Sequence, residues 1–129
     1  MTSNTLPNYT VLDPKLDRLP PAQLEALQAE RLRNMVRYVY AATPFWRRKL
    51  DKAKVHPEQI LGLADLSKIP FCTKEELQVD QAEHPPFGSY LGIDRSKLVK
   101  FMTTSGTTGK PLRRVFSDRD WSYVLDRFQ

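Results

Sequence analysis

Cysteine and histidine are scarce in this chain, and their scarcity excludes two kinds of site. Its 129 residues include a single cysteine, Cys72, so no disulfide can form within the chain. The two histidines, His56 and His84, are far apart and each precedes a proline, which leaves no zinc-ligand spacing. We therefore predict no metal ligands in this chain, a buried and inert thiol at Cys72, and histidines that lie in surface loops.

Long hydrophobic runs are also missing. No stretch approaches the roughly 20 apolar residues that cross a bilayer, and residues 1–21 lack the apolar centre of a secretory signal. With 40% hydrophobic and 27% charged residues, the composition is that of a soluble globular domain. We therefore expect a cytoplasmic protein with no membrane contact.

Acidic residues are nearly absent from one region, Arg31–Lys54, where eight basic residues accompany a single acid. The net charge of +5 is therefore unevenly spread. Basic residues with interleaved aromatics can bind nucleic acid. Because the apolar residues here follow helical spacing, we favour a solvated basic face opposite an inward apolar one, and expect no nucleic-acid partner. The aromatic residues concerned are Tyr38, Tyr40, Phe45 and Trp46.

Proline divides the first part of the chain into an arm and two helices. Residues 1–19 show little periodicity and are predicted to form an extended arm. A proline pair then suits the first turn of a helix, which an apolar stripe carries to about Ala42. Thr43 is predicted to cap a second helix over residues 44–53. The apolar stripe consists of Leu24, Leu27, Leu32, Met35, Val36 and Val39.

The middle of the chain is predicted to be more broken. Short helical turns are expected at residues 56–58 and 63–66. Thr73 and Glu76 have the spacing of a capping box, so a helix should run over residues 74–81. A proline pair then stops it, and a loop with two glycines follows.

Two strands and a helix are predicted after about residue 97. Strands over residues 98–102 and 112–116 flank a glycine-rich loop, and Ser117 with Asp120 forms another capping pair. The helix that follows carries an apolar face at Trp121, Val124, Leu125 and Phe128. Two strands offer few partners to bury that face, so we expect the sequence to be a fragment. The expected organisation is an arm at 1–19, a helical segment at 20–96 and the start of a further domain at 97–129.

The loop Thr103–Pro111 is the most informative segment. Glycine tolerates positive φ, so backbone N–H groups can converge on one point. The hydroxyl side chains add donors and Lys110 adds a compact positive charge, which together suit a triphosphate. The loop is not a Walker A motif, because only two residues separate Gly106 from Gly109 and proline follows the lysine. A strand–loop–strand hairpin is therefore predicted.

The full string resembles the phosphate-binding signature of the adenylate-forming superfamily, Ser/Thr-Ser-Gly-Thr-Thr-Gly-x-Pro. A flexible linker would share the composition, but not the complete string between two strands. Residues 32–50 and 63–77 are similar to the N-terminal region of phenylacetate–CoA ligases, including the run Ile69-Pro70-Phe71-Cys72-Thr73-Lys74, in which Cys72 stands where such sequences often have threonine. The resemblance covers most of the chain, from about residue 12 to residue 129.

This resemblance implies an α/β fold, in which a helical N-terminal segment precedes the start of the large ATP-binding domain. It implies a ligase that uses ATP with Mg²⁺ to convert a carboxylic acid, expected to be an aryl acid, into an acyl-adenylate. Coenzyme A then displaces AMP. No catalytic residue of the family falls in this chain, which alone should be inactive. The positions expected to hold the β- and γ-phosphates are Thr104, Ser105, Gly106, Thr107, Thr108, Gly109 and Lys110.

Other functions stay open at this point. The basic, aromatic helices could form a binding module for nucleic acid or for CoA phosphates. The helical segment could instead pack against a second subunit, as in a homodimer. The DNA after codon 129 would separate these functions, since an open frame with the downstream ligase motifs supports the ligase. We also expect the glycine-rich loop to be poorly ordered without nucleotide.

Overall fold

The computed structural model of the chain describes residues 14–104 and 111–127. Helices dominate the first part of this region, and an antiparallel two-stranded sheet with one further helix completes it. This confirms the predicted α/β class and the order of its parts. The elements are α1 Pro14–Asp17, α2 Pro21–Ala42, α3 Pro44–Lys52, α4 Lys74–Glu83, β1 Leu98–Thr103, β2 Arg113–Ser117 and α5 Asp118–Arg127, with 3-10 helices at Pro57–Gln59, Leu63–Lys68 and Arg95–Lys97.

The N-terminal arm differs in one respect from the expectation. Residues 14–17 form the short helix α1, so an extended arm over all of residues 1–19 is wrong. Residues 1–13 lie outside the described part of the chain. Helix α2 begins where the proline pair predicted, with Pro21 in its first turn. Within the described ranges, no helix is both long enough and apolar enough to cross a membrane.

The apolar stripe of α2 is only partly covered. Val36 is buried, whereas Met35 is 59% exposed and Leu24 is 37% exposed. The predicted stripe is therefore correct at Val36 and wrong at Met35, because helical spacing marks a face without supplying partners for all of it. The core beneath Val36 joins α2, α3 and the first 3-10 helix. Its buried members are Val36, Leu50, Val55 and Ile60, with Leu32, Tyr40 and Ile69 packed against them.

The junction between α2 and α3 corrects a second expectation. Thr43 stands at the start of α3, as predicted, but its hydroxyl makes no capping hydrogen bond to that helix. Instead, its Oγ1 donates to the carbonyl of Val39, at 2.6 Å, in the last turn of α2. Thr43 is buried, so this bond satisfies a hydroxyl that water cannot reach. The Thr43 side chain therefore stabilises the end of α2 and does not cap α3.

Helix α4 follows its local signals closely. Thr73 Oγ1 accepts from the backbone N–H of Glu76, and the Glu76 carboxylate accepts from the backbone N–H of Thr73, which confirms the capping box. The helix continues two residues past the predicted end, to Glu83, before the proline pair stops it. This places Asp80 and Gln81 inside the helix, where both are buried.

The hairpin at the end of the chain confirms the predicted strand–loop–strand arrangement. Strand β1 is one residue longer than predicted, and β2 is shifted by one residue, starting at Arg113. Helix α5 packs on both strands and starts at a capping pair in which Ser117 Oγ donates to the Asp120 carboxylate at 2.7 Å. Trp121 contacts Phe116 edge-on, whereas Leu125 is 46% exposed, so the apolar face of α5 is only partly covered.

Candidate functional site

The hairpin β1–β2 carries the predicted phosphate loop between its strands. The two strands pair in antiparallel register, with Thr103 opposite Arg113 and Met102 opposite Arg114. Of the seven predicted site positions, Thr104 belongs to the described residues. The other six, Ser105, Gly106, Thr107, Thr108, Gly109 and Lys110, lie outside them, as does the expectation about loop order.

Thr104 and Leu112 close the base of the loop. The Thr104 N–H donates to the Leu112 carbonyl at 3.0 Å, and the Leu112 N–H donates to Thr104 Oγ1 at 3.0 Å. Leu112 is buried, which anchors the strand that leaves the loop. A threonine hydroxyl has one donor and two acceptor positions. The Leu112 N–H therefore uses an acceptor position of Thr104 Oγ1 and leaves the donor position of this hydroxyl out of that bond.

A buried glutamine holds the other edge of the hairpin. The amide of Gln81, on α4, accepts from the Arg113 N–H at 2.9 Å and donates to the Arg113 carbonyl at 3.1 Å. The same amide nitrogen donates to Tyr90 Oη at 2.6 Å. Burial, together with nearby Asp80, raises the pKa of Tyr90, so this phenol stays protonated at neutral pH. The strand leaving the loop is thus attached to the helical segment.

Asp80, the neighbour of Gln81, organises the turn beneath the hairpin. Its carboxylate accepts from the Ser89 N–H and the Ser89 hydroxyl, both at 2.6 Å, and from the Arg48 guanidinium at 3.0 Å. The Asp80 residue is 4% exposed, so these donors replace water around a buried carboxylate. The network joins α3, α4 and the segment that leads to β1.

The basic region Arg31–Lys54 makes more internal contacts than predicted. Arg33 donates to the Leu61 carbonyl, and Arg47 donates to the carbonyls of Tyr40 and Ala41. Arg48 pairs with Asp80, and Lys49 pairs with Glu76. Arg47 and Arg48 are exposed, as predicted for a solvated face, and all four side chains in addition reach acceptors within the fold. Their use within the fold supports a structural role.

The cysteine and the two histidines take no part in the hairpin. Cys72 is half-buried rather than fully buried, and desolvation raises the pKa of its thiol, which keeps it protonated and unreactive. His56 and His84 are both exposed, as predicted, although His84 lies at the end of α4 with Nδ1 3.2 Å from the Asp80 carbonyl.

Sequence reasoning missed Asp80 and Gln81. The partners Arg48 and Arg113 each lie 32 residues away along the chain, so no local pattern connects them. One signal is present in the sequence: Asp80 and Gln81 are adjacent polar residues near the end of a helix that a proline pair stops. Such a pair could have indicated side chains that bond neighbouring elements.

Curated relatives of the chain are phenylacetate–CoA ligases. The chain is 46% identical to the phenylacetate–CoA ligase of Thermus thermophilus over 98 residues, which are 76% of this chain and 21% of that enzyme. It is 33% identical to the enzyme of Escherichia coli over 123 residues, or 91% of this chain and 27% of that enzyme. No protein-family model matches the chain.

The fold has a solved counterpart in a related ligase. A crystal structure of 2-hydroxyisobutyryl-CoA ligase, in complex with its acyl-AMP and CoA, matches 98% of this chain with a TM-score of 0.84 and 31% identity. The match covers 27% of that ligase. The chain thus spans about a quarter of the length of the proteins it matches.

These likenesses, with the hairpin around the Ser-Gly-Thr-Thr-Gly string, define the class that the chain resembles: it corresponds to one segment of the adenylate-forming enzymes. Within that class, the curated relatives it matches are phenylacetate–CoA ligases.

Proposed function

We propose that this chain supplies the phosphate-binding hairpin of an ATP-dependent ligase that joins an aryl carboxylic acid to coenzyme A. The observation that carries the proposal is the closed hairpin base at Thr104 and Leu112, which flanks the signature string. It occurs in a chain that is 46% identical to part of a phenylacetate–CoA ligase. The aryl acid is proposed from that relative, and a cytoplasmic location stays a prediction.

The chemistry proposed for the complete ligase has two steps. The carboxylate of the acid attacks the α-phosphorus of ATP, so that an acyl-adenylate forms and pyrophosphate leaves. The thiol of coenzyme A then attacks the acyl carbon, and AMP leaves. The share of this chain is to hold the β- and γ-phosphates while negative charge grows on the departing pyrophosphate. Donors at Thr104 and the loop, with the Lys110 ammonium, are suited to that charge.

Magnesium would enter as the complex of ATP. Among residues 14–104 and 111–127, no group of three histidine, cysteine, aspartate or glutamate side chains is arranged to hold a metal ion. We therefore assign no magnesium ligand among those residues. Bound to ATP, the ion would neutralise phosphate charge.

The test compares the polypeptide encoded by the complete reading frame with residues 1–129 alone. We expect the complete polypeptide to catalyse ATP–pyrophosphate exchange that depends on phenylacetate, and to form the CoA thioester. Residues 1–129 alone should give neither reaction, because they span only about a quarter of the matched ligases. Absence of exchange with a panel of aryl acids would reject the proposal.

A single substitution tests the loop itself. In the complete enzyme, Lys110→Ala should raise the KM for ATP by about tenfold or more, because a charged hydrogen bond to phosphate contributes roughly 1.5–3 kcal/mol. The KM for the acid should change little. Lys97→Ala, which removes a lysine before β1, is the matched control. If the two substitutions raise the KM for ATP equally, Lys110 does not bind the phosphates.

A further inference from the structure

Gln81 joins helix α4 to the first residue of β2 through both polar atoms of its amide. The residue is 7% exposed, and its Oε1 and Nε2 bond the N–H and the carbonyl of the same residue, Arg113. Such a two-bond exchange is what a neighbouring strand makes in an antiparallel sheet. Because the N–H must face Oε1 and the carbonyl must face Nε2, the pair of bonds also fixes the orientation of the amide.

The hydrogen-bond pattern of the hairpin explains why Arg113 needs this partner. Thr104 and Leu112 bond each other across the two strands. In an antiparallel ladder the bonded pairs alternate with pairs whose N–H and carbonyl groups point outwards. The next pair, Thr103 and Arg113, therefore turns the Arg113 backbone groups away from β1 and towards Gln81.

From this geometry, we propose that Gln81 is a positioning residue for the phosphate loop. This inference rests on the proposed function of the loop. Arg113 is the third residue after Lys110, so whatever fixes its backbone also fixes the direction in which the chain leaves the loop. Gln81 fixes it from one side and the Thr104–Leu112 pair fixes it from the other. The strand that leaves the loop is thereby held in register with the helical segment.

Tyr90 supports the Gln81 amide from behind. Its hydroxyl oxygen accepts the second hydrogen of Gln81 Nε2, and its ring packs edge-on against buried Phe45 of α3. The position of the loop exit is therefore connected to the helical core through Gln81, Tyr90 and Phe45. Removing the Tyr90 hydroxyl alone should loosen the amide without removing its bonds to Arg113.

The experiment titrates residues 1–129 with inorganic pyrophosphate at constant ionic strength and follows the backbone amides by NMR. Gln81→Met keeps the length of the side chain and removes every hydrogen bond of the amide. We expect pyrophosphate binding to weaken about tenfold, because a loosely held site loses the benefit of preorganisation. Tyr90→Phe should weaken it about two- to threefold for the same reason.

Gln59→Met is the matched control. The Gln59 amide oxygen also accepts from a backbone N–H, that of His56 at 2.7 Å, but in a 3-10 helix apart from the hairpin. Hydrogen exchange separates a positioning role from general destabilisation. Gln81→Met should speed exchange at the Arg113 amide, while the Val55 and Ile60 amides of the core keep the rate of the unsubstituted chain.

The outcomes separate the two proposals. Pyrophosphate binding that depends on Lys110 but is unaffected by Gln81→Met would overturn the positioning role and leave the loop function intact. Equal weakening by Gln81→Met and Gln59→Met, or faster exchange throughout the core, would show a role in stability only and also overturn it. If neither the unsubstituted chain nor the complete polypeptide binds pyrophosphate in a way that depends on Lys110, the proposed function of the loop fails, and the positioning role fails with it.

Discussion

Asp80 and Gln81 are consecutive residues of α4, and each anchors a different part of the molecule. Asp80 holds Arg48 and the Ser89 turn, whereas Gln81 holds the backbone of β2. Both are buried, and a buried polar side chain is retained only where its hydrogen bonds are made. Their roles could not be predicted from the sequence, because their partners on α3 and β2 are brought near only by the tertiary fold.

At the same scale, Gly88 is predicted to be irreplaceable in the turn that Asp80 stabilises. Its φ is +83°, and a Cβ there would lie 2.4 Å from Tyr90 Cε1 and 2.9 Å from Asp80 Oδ2. Gly88→Ala should lower the free energy of unfolding by at least about 2 kcal/mol, from left-handed strain and overpacking. Urea denaturation measures this. Gly62→Ala, where nothing lies within 4 Å of the added Cβ, is the control, and equal losses would contradict the argument.

The elements that were predicted well are those whose signals are local. The capping box of Thr73 and the capping pair of Ser117 use partners three residues away, and both are formed as predicted. The two wrong predictions, for Met35 and Thr43, concern contacts that helical periodicity does not reveal. Met35 is exposed because no element of the described ranges covers its side of α2. The Thr43 hydroxyl bonds backwards to the Val39 carbonyl, which also accepts the Thr43 N–H, so that the last turn of α2 satisfies a buried hydroxyl.

The C-terminal end of α3 provides a prediction at the scale of the element. Lys54 has φ +57°, while Val55 N–H bonds the Leu50 carbonyl and Lys54 N–H bonds the Asp51 carbonyl. This is a Schellman motif, with Val55 and Leu50 making its hydrophobic contact in the core. Lys54→Gly should stabilise the chain by about 1 kcal/mol, since glycine adopts positive φ without strain.

Thermal or urea denaturation would check the Lys54→Gly effect. Lys52→Gly is the control, because Lys52 is the last residue of α3 proper and glycine there should lower stability by about 0.5–1 kcal/mol. A loss of stability in both variants would show that the positive φ at Lys54 carries little strain.

The start of α4 should make stability depend on pH. The hydrogen bond from Lys49, followed by that from the Thr73 N–H, lowers the pKa of Glu76. A carboxyl group whose pKa is lower in the folded state contributes stability above its unfolded pKa of about 4.3, and loses it as pH falls through the folded pKa. The stability difference between the unsubstituted chain and Glu76→Gln should therefore be present at neutral pH and shrink below about pH 4.

Urea denaturation at neutral and acidic pH measures that difference. Glu75→Gln is the matched control, since Glu75 lies in the same first turn of α4 and shares its favourable position at the helix N-terminus. A Glu76→Gln difference that stays constant with pH would show that the Lys49 and Thr73 bonds do not select the ionised carboxylate.

At the scale of the whole molecule, the hairpin and α5 leave large apolar side chains in contact with solvent. Phe101 on β1 is 53% exposed and Tyr123 on α5 is 60% exposed. A chain that spans about a quarter of the ligases it matches would be expected to show such faces, which larger folds cover with further elements. The sequence predicted an apolar face on the last helix with too few partners; Leu125 of that face is 46% exposed, whereas Phe101 and Tyr123 do not belong to it.

Despite the net positive charge of the whole chain, we predict that nucleic acid is not its partner. In the region Arg31–Lys54, Arg48 and Lys49 pair with carboxylates, which offsets their charge, while Arg33 and Arg47 are held by carbonyls of the fold. A net charge of +5 still attracts polyanions at low salt. Binding to phosphates releases counterions, so an attraction of this kind falls steeply as salt rises.

Titration with a labelled oligonucleotide at low and at physiological salt separates attraction from recognition. We expect weak binding at low salt that disappears at physiological salt. Replacing Arg47, Arg48 and Lys49 with alanine should lower stability, because it removes the contacts to Tyr40, Asp80 and Glu76. A triple Ala variant of the exposed basic residues Arg31, Arg37 and Lys52 serves as control. Tight binding that persists at physiological salt, is lost on replacing Arg47, Arg48 and Lys49 and is kept in the control would favour the nucleic-acid module over the ligase segment.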